Sequence, residues 1–306
     1  MSENVNTTMN GTQPLSCSSN PTAETIGKTF AYCLIFLVSL AGNTVIGIIV
    51  YKTKTMRKPI NFLVVNMAMS DLLLPIFLFP FKIQRLYIDF WLIGGPLGQA
   101  LCKLVGFVPD VSLAVSMVFP LRSPLISSKL CPFFILATWI VARAIYSPHF
   151  FGMKLVEYHG GLVCHWRWKE AFGESSSFEN YFLSLFVTLV FIPFVVIAIL
   201  YIIIFLKLKS QRSPGEQSAN AGQQRQLLEG NVLKMAIAIV LGFAVCWLPF
   251  TIGWLLILFA SDIWSCGSQY FVTVASFMSE ANCAIKPCIC FIFSRNYREG
   301  LKTLLS

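Results

Sequence analysis

Long apolar segments, each about as long as a bilayer is thick, constrain this chain more than any other feature of its sequence. A transmembrane helix needs about 20 apolar residues, because the hydrocarbon core is ~30 Å thick and each helical residue rises about 1.5 Å. Of 306 residues, 56% are hydrophobic and 12% are charged. Such segments lie at 29–51, 61–82, 130–151, 178–206, 232–259 and 270–293. A soluble domain is excluded, and the pattern predicts an all-α, integral membrane helix bundle.

A further segment, at 104–121, is marginal as a membrane span. Its helix would rise only ~27 Å, and it contains Pro109 and Asp110. If it crosses, the bundle has seven helices, and most loop lysines and arginines then fall on one side. Cytoplasmic loops are enriched in these residues, so the bias predicts the N-terminus outside and the C-terminus inside. The net charge of +9 therefore reports topology and not nucleic-acid binding.

The two ends of the chain have polar sequences that differ in kind. Residues 1–28 lack the features of a signal peptide, and the sequence predicts a disordered extracellular tail with glycosylation sites at Asn6 and Asn10. Residues 29–293 form the predicted bundle. Residues 294–306 are predicted to form a short amphipathic helix on the inner membrane surface, followed by a cytoplasmic tail.

The loop before the segment at 178–206 predicts a β-hairpin. Its sequence KLVEYHGGLVCHWRW alternates apolar and polar residues on either side of Gly160 and Gly161. Glycine takes positive φ without strain, as both central positions of a two-residue hairpin turn require. The ten cysteines show no recurring metal-site spacing, so the sequence predicts no metal ion and no cofactor.

Several motifs, in order along the chain, resemble those of the rhodopsin-like, class A, G protein-coupled receptors, and of their neuropeptide branch in particular. They are GN at 42–43, NMAMSDLL at 66–73, Trp91 with Cys102, Trp139, Pro193 with Tyr201, FAVCWLPF at 243–250, and Pro287 followed by FIFSRNYR at 291–298. The resemblance implies a plasma-membrane receptor for an extracellular ligand that signals through a heterotrimeric G protein. A peptide ligand is favoured over an amine, because the amine-binding aspartate would fall at Pro109, one position before Asp110.

The resemblance also implies roles for individual residues. It implies a disulfide between Cys102 and Cys164, and Cys17 and Cys266 allow a second bridge on the same side. Proline removes a helical hydrogen bond and allows a helix to kink. The implied activation switch consists of Phe243, Trp247, Pro249, Pro193, Tyr201 and Pro287.

Asp71 lies in the middle of a membrane segment, where a charge is costly and marks a functional position. The resemblance implies a sodium ion at Asp71, helped by Ser116, and the alternative is a neutral carboxyl bonded to Asn43. The family's Asn-Pro-x-x-Tyr motif is replaced here by KPCIC at 286–290. We hypothesise that Lys286 pairs with Asp71 and replaces the sodium ion. Snorkelling of Lys286 to the membrane surface and simple loss of function at this position are the alternatives.

The stretch SLAVSMVFPLRSP at 112–124 joins two family-like segments directly. Relative to the family, about 14 residues are missing, including the Asp-Arg-Tyr motif that contacts the G protein, which shortens the third helix by ~21 Å. The alternative to a signalling receptor is therefore a non-signalling decoy, a dominant-negative splice product or an incomplete gene sequence. No internal repeat favours a transporter, and no cluster of nucleophile and base favours an enzyme.

Overall fold

The apolar segments form long helices in the computed structural model, which describes residues 21–122, 130–192, 195, 199, 219–259 and 265–306. The helices on the N-terminal side of the hairpin are α1 (Pro21–Lys52), α2 (Pro59–Tyr87), α3 (Gly95–Arg122) and α4 (Cys131–Gly152). Strands β1 (Met153–Tyr158) and β2 (Gly161–Trp166) follow. The remaining helices are α5 (Trp168–Phe172), α6 (Phe178–Leu185, continued by a π-helical turn at Phe186–Phe191), α7 (Ala219–Phe259), α8 (Cys266–Phe293) and α9 (Arg295–Leu305).

Among the described residues, five helices are long and apolar enough to cross a bilayer, and they lie in α1, α2, α3, α4 and α7. The 28-residue α8 is also long enough, but it carries buried polar residues, including Glu280, Asn282 and Lys286, that lower its hydropathy. These side chains are buried in the protein interior, where partners offset their cost. The all-α membrane bundle, with a small hairpin and a C-terminal helix, is confirmed.

The first helix includes residues 21–28, which lie before its predicted start at 29 and which the prediction assigned to the tail. An ion pair between Glu24 and Lys28, one turn apart, supports the extension. Asn6, Asn10 and Cys17 lie outside the described residues.

The third helix also begins earlier than predicted. It runs from Gly95 to Arg122, 28 residues or ~42 Å, so it is long enough to cross and Pro109 does not end it. Hydropathy misses its first turns because they pack against the hairpin and not against lipid. Gln99 accepts a hydrogen bond from Leu155 N at 2.9 Å and donates to Met153 O at 3.3 Å. The shortening of this helix relative to the family stays a prediction.

The β-hairpin turns one residue earlier than predicted. Tyr158 pairs with Gly161, so the turn residues are His159 and Gly160, at φ 48° and 78°. Both angles are positive, as a type I′ turn requires. Gly161 is instead in β2, where a side chain would meet the ring of Phe90. The register places Cys164 opposite Leu155.

Two apolar clusters fill opposite ends of the bundle. At the hairpin end, residues such as Phe79 and Trp91 pack with Cys102 of α3 and Met153 of β1. At the α9 end, Tyr297 is fully buried against residues such as Ile49 and Met67. The predicted amphipathic helix α9 therefore packs onto the bundle, with Tyr297 as its buried anchor and Leu301 beside it.

Gly42 allows α1 to approach the proline of α8. A Cβ atom added at Gly42 would lie 2.7 Å from Cβ of Pro287, which is closer than atoms in a packed core can come. Gly42→Ala is therefore expected to destabilise the protein by about 1–3 kcal/mol. The apparent melting temperature of detergent-solubilised protein measures the change.

Gly47 is the matched control on the same helix, because no atom lies within 4 Å of its added Cβ. Gly47→Ala should stabilise the protein by about 0.5–1 kcal/mol, since alanine loses less backbone entropy. Equal melting temperatures for the two variants would show that the close approach of α1 and α8 is wrong.

Candidate functional site

A buried ion pair connects α2, α3 and α8 in the middle of the bundle. Lys286 Nζ lies 2.7 Å from Asp71 Oδ1 and donates a second hydrogen bond to Ser116 Oγ at 2.8 Å. Asp71 is 1% exposed and Lys286 is 2% exposed. Two charges removed from water are tolerated only when they are paired with good geometry. The structure thus brings together three of the four residues predicted for the intramembrane ion site.

Small polar residues allow α2 and α3 to meet at this site. Ser112 Oγ donates to Ser70 O at 3.0 Å, and the hydroxyls of Ser70 and Ser116 lie 3.4 Å apart. All three serines are buried. Serines with short side chains permit close helix contact, and their hydroxyls satisfy one another in the absence of water.

Asn43, the fourth predicted residue, binds the backbone of α8 and does not bond Asp71. Its Nδ2 donates to Ser39 O at 2.9 Å and to Cys283 O at 3.0 Å. Pro287, four residues after Cys283, has no N–H to donate to that carbonyl. Asn43 therefore satisfies the carbonyl that the proline leaves free, and it makes no hydrogen bond to Asp71.

The residues around Asp71 do not fit a sodium ion. The Lys286 ammonium already balances the aspartate charge and takes both Asp71 Oδ1 and Ser116 Oγ, which are the oxygens that the ion would need.

Of the described residues of the predicted activation switch, Phe243 and Trp247 of α7 lie beside α3, whereas Pro287 lies in α8 against Gly42 of α1. The rings of Phe243 and Trp247 stack with centroids 5.7 Å apart, and Phe243 packs against Leu113 of α3. Thr251 Oγ1 donates to Trp247 O at 2.9 Å, and Pro249 lies between them inside α7. Pro193 and Tyr201 lie outside the described residues.

A disulfide joins the hairpin to the bundle. Cys102 of α3 is bonded to Cys164 of β2, as predicted. Trp91 N donates to Leu162 O at 2.6 Å and fastens the α2–α3 loop to the same strand. Lys154 Nζ donates to Glu170 Oε2 at 2.9 Å, and this hydrogen bond lowers the pKa of the exposed Glu170 carboxyl. Cys266 is also disulfide-bonded, and its predicted pairing with Cys17 stays a prediction.

The sequence reasoning missed two further polar contacts at the hairpin end, an ion pair and a contact between a carboxylate and an imidazole. Lys82 of α2 pairs with Glu280 of α8 at 2.7 Å, and Asp110 of α3 pairs with His149 of α4. Glu280 is a carboxyl in the middle of an apolar segment, so the rule that marks Asp71 could have found it. The partners could not be found, because the pairing depends on how the helices face one another.

At the α9 end, the hydroxyl of Tyr297 donates to Asn61 Oδ1 at 3.3 Å. Burial is the main cause that raises the pKa of Tyr297, and the neighbouring Cys290 raises it further. Cys290 itself is fully buried at the position where the family motif has tyrosine. An aromatic hydroxyl is therefore present at this end of the bundle, but it comes from α9 and reaches α2.

Comparison with known proteins adds to this geometry. The sequence profile described as "7 transmembrane receptor (rhodopsin family)" matches residues 42–289. The chain is similar to the "QRFP-like peptide receptor" of Branchiostoma floridae, with 27% identity over 308 residues that cover 94% of this chain and 79% of that protein. It is also similar to the "Neuropeptide FF receptor 1" of Rattus norvegicus, with 28% identity over 301 residues that cover 89% and 68% of the two chains. The "Substance-K receptor" of Homo sapiens is 26% identical over 313 residues, which cover 93% and 77%.

Proposed function

Because this chain belongs to the rhodopsin family of seven-transmembrane receptors, we propose that it binds an extracellular peptide and relays the signal to a heterotrimeric G protein at the plasma membrane. Membership of this family implies a multi-pass membrane receptor and not an enzyme. The names of the similar proteins support a peptide as the ligand. None of these findings supports the non-signalling alternative.

The hairpin fastened to the bundle is the structural observation that carries the proposal. The disulfide at Cys102 holds β2 against the start of α3, and Gln99 binds the backbone of β1. A strand pair fixed in this way presents a preorganised surface, which reduces the entropy lost when an extended peptide binds. The ion pair between Lys82 and Glu280 at the same end provides charged groups for recognition.

Ligand binding and coupling are best measured separately, because the missing Asp-Arg-Tyr motif concerns only coupling. Membranes from cells that express the full chain are tested with radiolabelled neuropeptide FF, substance K and a QRFP peptide. We expect saturable binding of at least one peptide and peptide-stimulated GTPγS binding by a co-expressed G protein. Binding without nucleotide exchange would support the decoy, and no binding by surface-expressed protein would contradict the proposal.

The predicted orientation is tested in the same cells. An epitope tag at the N-terminus should be stained on intact cells, and a tag at the C-terminus only after permeabilisation. Staining of both tags on intact cells would contradict a seven-helix topology.

We also infer that Lys286 takes the place of a sodium ion at Asp71. The purified chain should therefore have the same melting temperature in sodium chloride and in choline chloride of equal ionic strength. Lys286→Asn removes the ammonium and supplies an amide oxygen, so sodium should then stabilise the folded state specifically, by mass action. Lys286→Met, which supplies no oxygen ligand, is the matched control. A sodium effect on the unchanged protein equal to that on Lys286→Asn would overturn the inference.

A further inference from the structure

Building on the proposed function, in which a ligand enters at the hairpin end, we propose that Glu280 binds a guanidinium group of the ligand and that Lys82 is a displaceable internal counter-ion. The ligand class that follows is a peptide with an exposed arginine side chain. Three features of the described residues support this assignment: a carboxylate with one oxygen that accepts no hydrogen bond, a partner lysine that can withdraw, and aromatic neighbours.

Glu280 has more capacity to accept hydrogen bonds than its present partner uses. The residue is 8% exposed, and its Oε1 lies 2.7 Å from Lys82 Nζ. Its Oε2 is buried and accepts no hydrogen bond within the described structure. An unsatisfied buried carboxylate oxygen costs free energy, which a ligand with a second donor would recover. A guanidinium presents two parallel N–H groups and so fits both oxygens, whereas an ammonium binds as a single point charge.

Lys82 differs from Lys286 in its freedom to leave. The Lys82 side chain is 34% exposed, so its ammonium can move into water on its flexible stem, whereas Lys286 is 2% exposed and has no such route. Lys82 is directed at α8 by the π-helical turn at Leu74–Leu78, which contains Pro75. A π turn inserts one residue and rotates all later side chains by about 100° relative to an unbroken α-helix. Such turns are found frequently at functional sites.

Glu280 lies beside a cluster of aromatic rings that includes Tyr32. The ring of Tyr32 lies 5.2 Å from that of Phe277 and 5.6 Å from that of Phe79, measured between centroids. The Tyr32 hydroxyl is close enough to the Glu280 carboxyl to interact with it, so a guanidinium would share the carboxylate with this hydroxyl. Guanidinium planes stack on aromatic faces, and an apolar lining strengthens the attraction between a cation and a carboxylate.

The other acidic group at this end is less suited to the same role. Asp110 pairs with His149, which is buried and surrounded by the rings of Trp166, Tyr146 and Tyr181. His149 has no path into water comparable with that of the Lys82 side chain. Displacing it would disrupt the packing of α4 against the hairpin, so Asp110 keeps its partner.

Two small molecules test the site without any peptide. Butylguanidinium carries the cation, and butylurea is its neutral counterpart of nearly the same shape. Thermal unfolding of the purified full chain is followed as each compound is titrated. We expect butylguanidinium alone to raise the melting temperature. Glu280→Gln should weaken its apparent affinity at least about tenfold, because the charge-assisted pair is lost. Lys82→Met should strengthen the affinity about tenfold, because the competing ammonium is gone.

The controls separate this site from general effects of charge. Glu174→Gln removes an exposed carboxylate of the same end and should leave the titration unchanged. Should Glu280→Gln fail to fold, Glu280→Asp retains the charge and should bind butylguanidinium, but more weakly, because its shorter stem moves the carboxylate back. Unchanged affinity in Glu280→Gln, or no gain in Lys82→Met, would overturn the proposal.

A peptide experiment distinguishes failure of this site from failure of the proposed function. For any peptide that binds, each arginine is replaced in turn by citrulline, which has the same shape without the charge. One replacement should weaken binding to the unchanged chain at least about tenfold and have little further effect on Glu280→Gln, as coupled positions do in a double-mutant cycle. If no peptide binds but butylguanidinium does, the receptor assignment to these peptides fails and the Glu280 site stands. If a peptide binds but the losses of affinity from the citrulline replacement and from Glu280→Gln simply add, the receptor assignment stands and the Glu280 site fails.

Discussion

Replacing Lys286 with methionine is expected to lower the free energy of unfolding by about 3–5 kcal/mol. Methionine has a similar length, so packing is nearly retained and the main change is the loss of the ammonium. Asp71, 1% exposed, is then left as a charge without its partner in a water-free interior. The apparent melting temperature of detergent-solubilised protein is the measurement, and it should fall by several degrees.

A second substitution shows whether the pair or the lysine alone is responsible. Asp71→Asn in the Lys286→Met background removes the uncompensated charge, so the double variant should recover most of the lost stability. Arg295→Met is the control, because it removes an exposed ion pair with Glu299, and such pairs contribute about 0.3–0.5 kcal/mol. If the losses of stability in Lys286→Met and in Asp71→Asn alone simply add in the double variant, Asp71 and Lys286 do not interact.

Loss of the disulfide between Cys102 and Cys164 is expected to have an effect of similar size. The two residues are 62 positions apart, and a cross-link that closes a loop of that length restricts the unfolded chain by about 4 kcal/mol. The double variant Cys102→Ser, Cys164→Ser should therefore melt well below the unchanged protein. Cell-surface staining should fall with it, because β2 is no longer fastened to α3.

Cys33→Ser is the matched control for the disulfide variant. Cys33 is exposed and not bonded, and such a substitution should change stability by less than about 0.5 kcal/mol. A double serine variant as stable as the unchanged protein would mean that the hairpin is held by its backbone contacts alone. Both variants are measured under non-reducing conditions in the same detergent.

Residue types identify the costly groups of this protein, but they do not identify the partners. Asp71 and Lys286 stand out because a membrane segment excludes unpaired charges, and Glu280 follows from the same rule. The partner of Glu280 cannot be recognised in the same way. Lys82 lies near a helix end, where a basic residue at the membrane boundary is ordinary. Only the π-helical turn before it, which no spacing in the sequence announces, directs it at α8.

Asn43 shows the same limit for hydrogen bonds. A polar residue in a membrane helix must find a partner, and Asp71 is the obvious one in the sequence. In the structure the side-chain amide of Asn43 donates to the carbonyl of Cys283, because Pro287 leaves that carbonyl without an N–H donor. Competition among several buried acceptors is decided by distances across the bundle, which the sequence does not contain.

The sequence by itself determined that the chain is a membrane helix bundle with a hairpin, because a bilayer demands long apolar segments and a tight turn demands positive φ. It also marked Asp71 and Lys286 as charges that a membrane segment leaves in need of a partner. Only the tertiary structure decided where α3 begins, which residues form the hairpin turn and which partner Glu280 has at the hairpin end. The physical reason is that hydropathy reports contact with lipid, whereas these features depend on the rotation and packing of one helix against another.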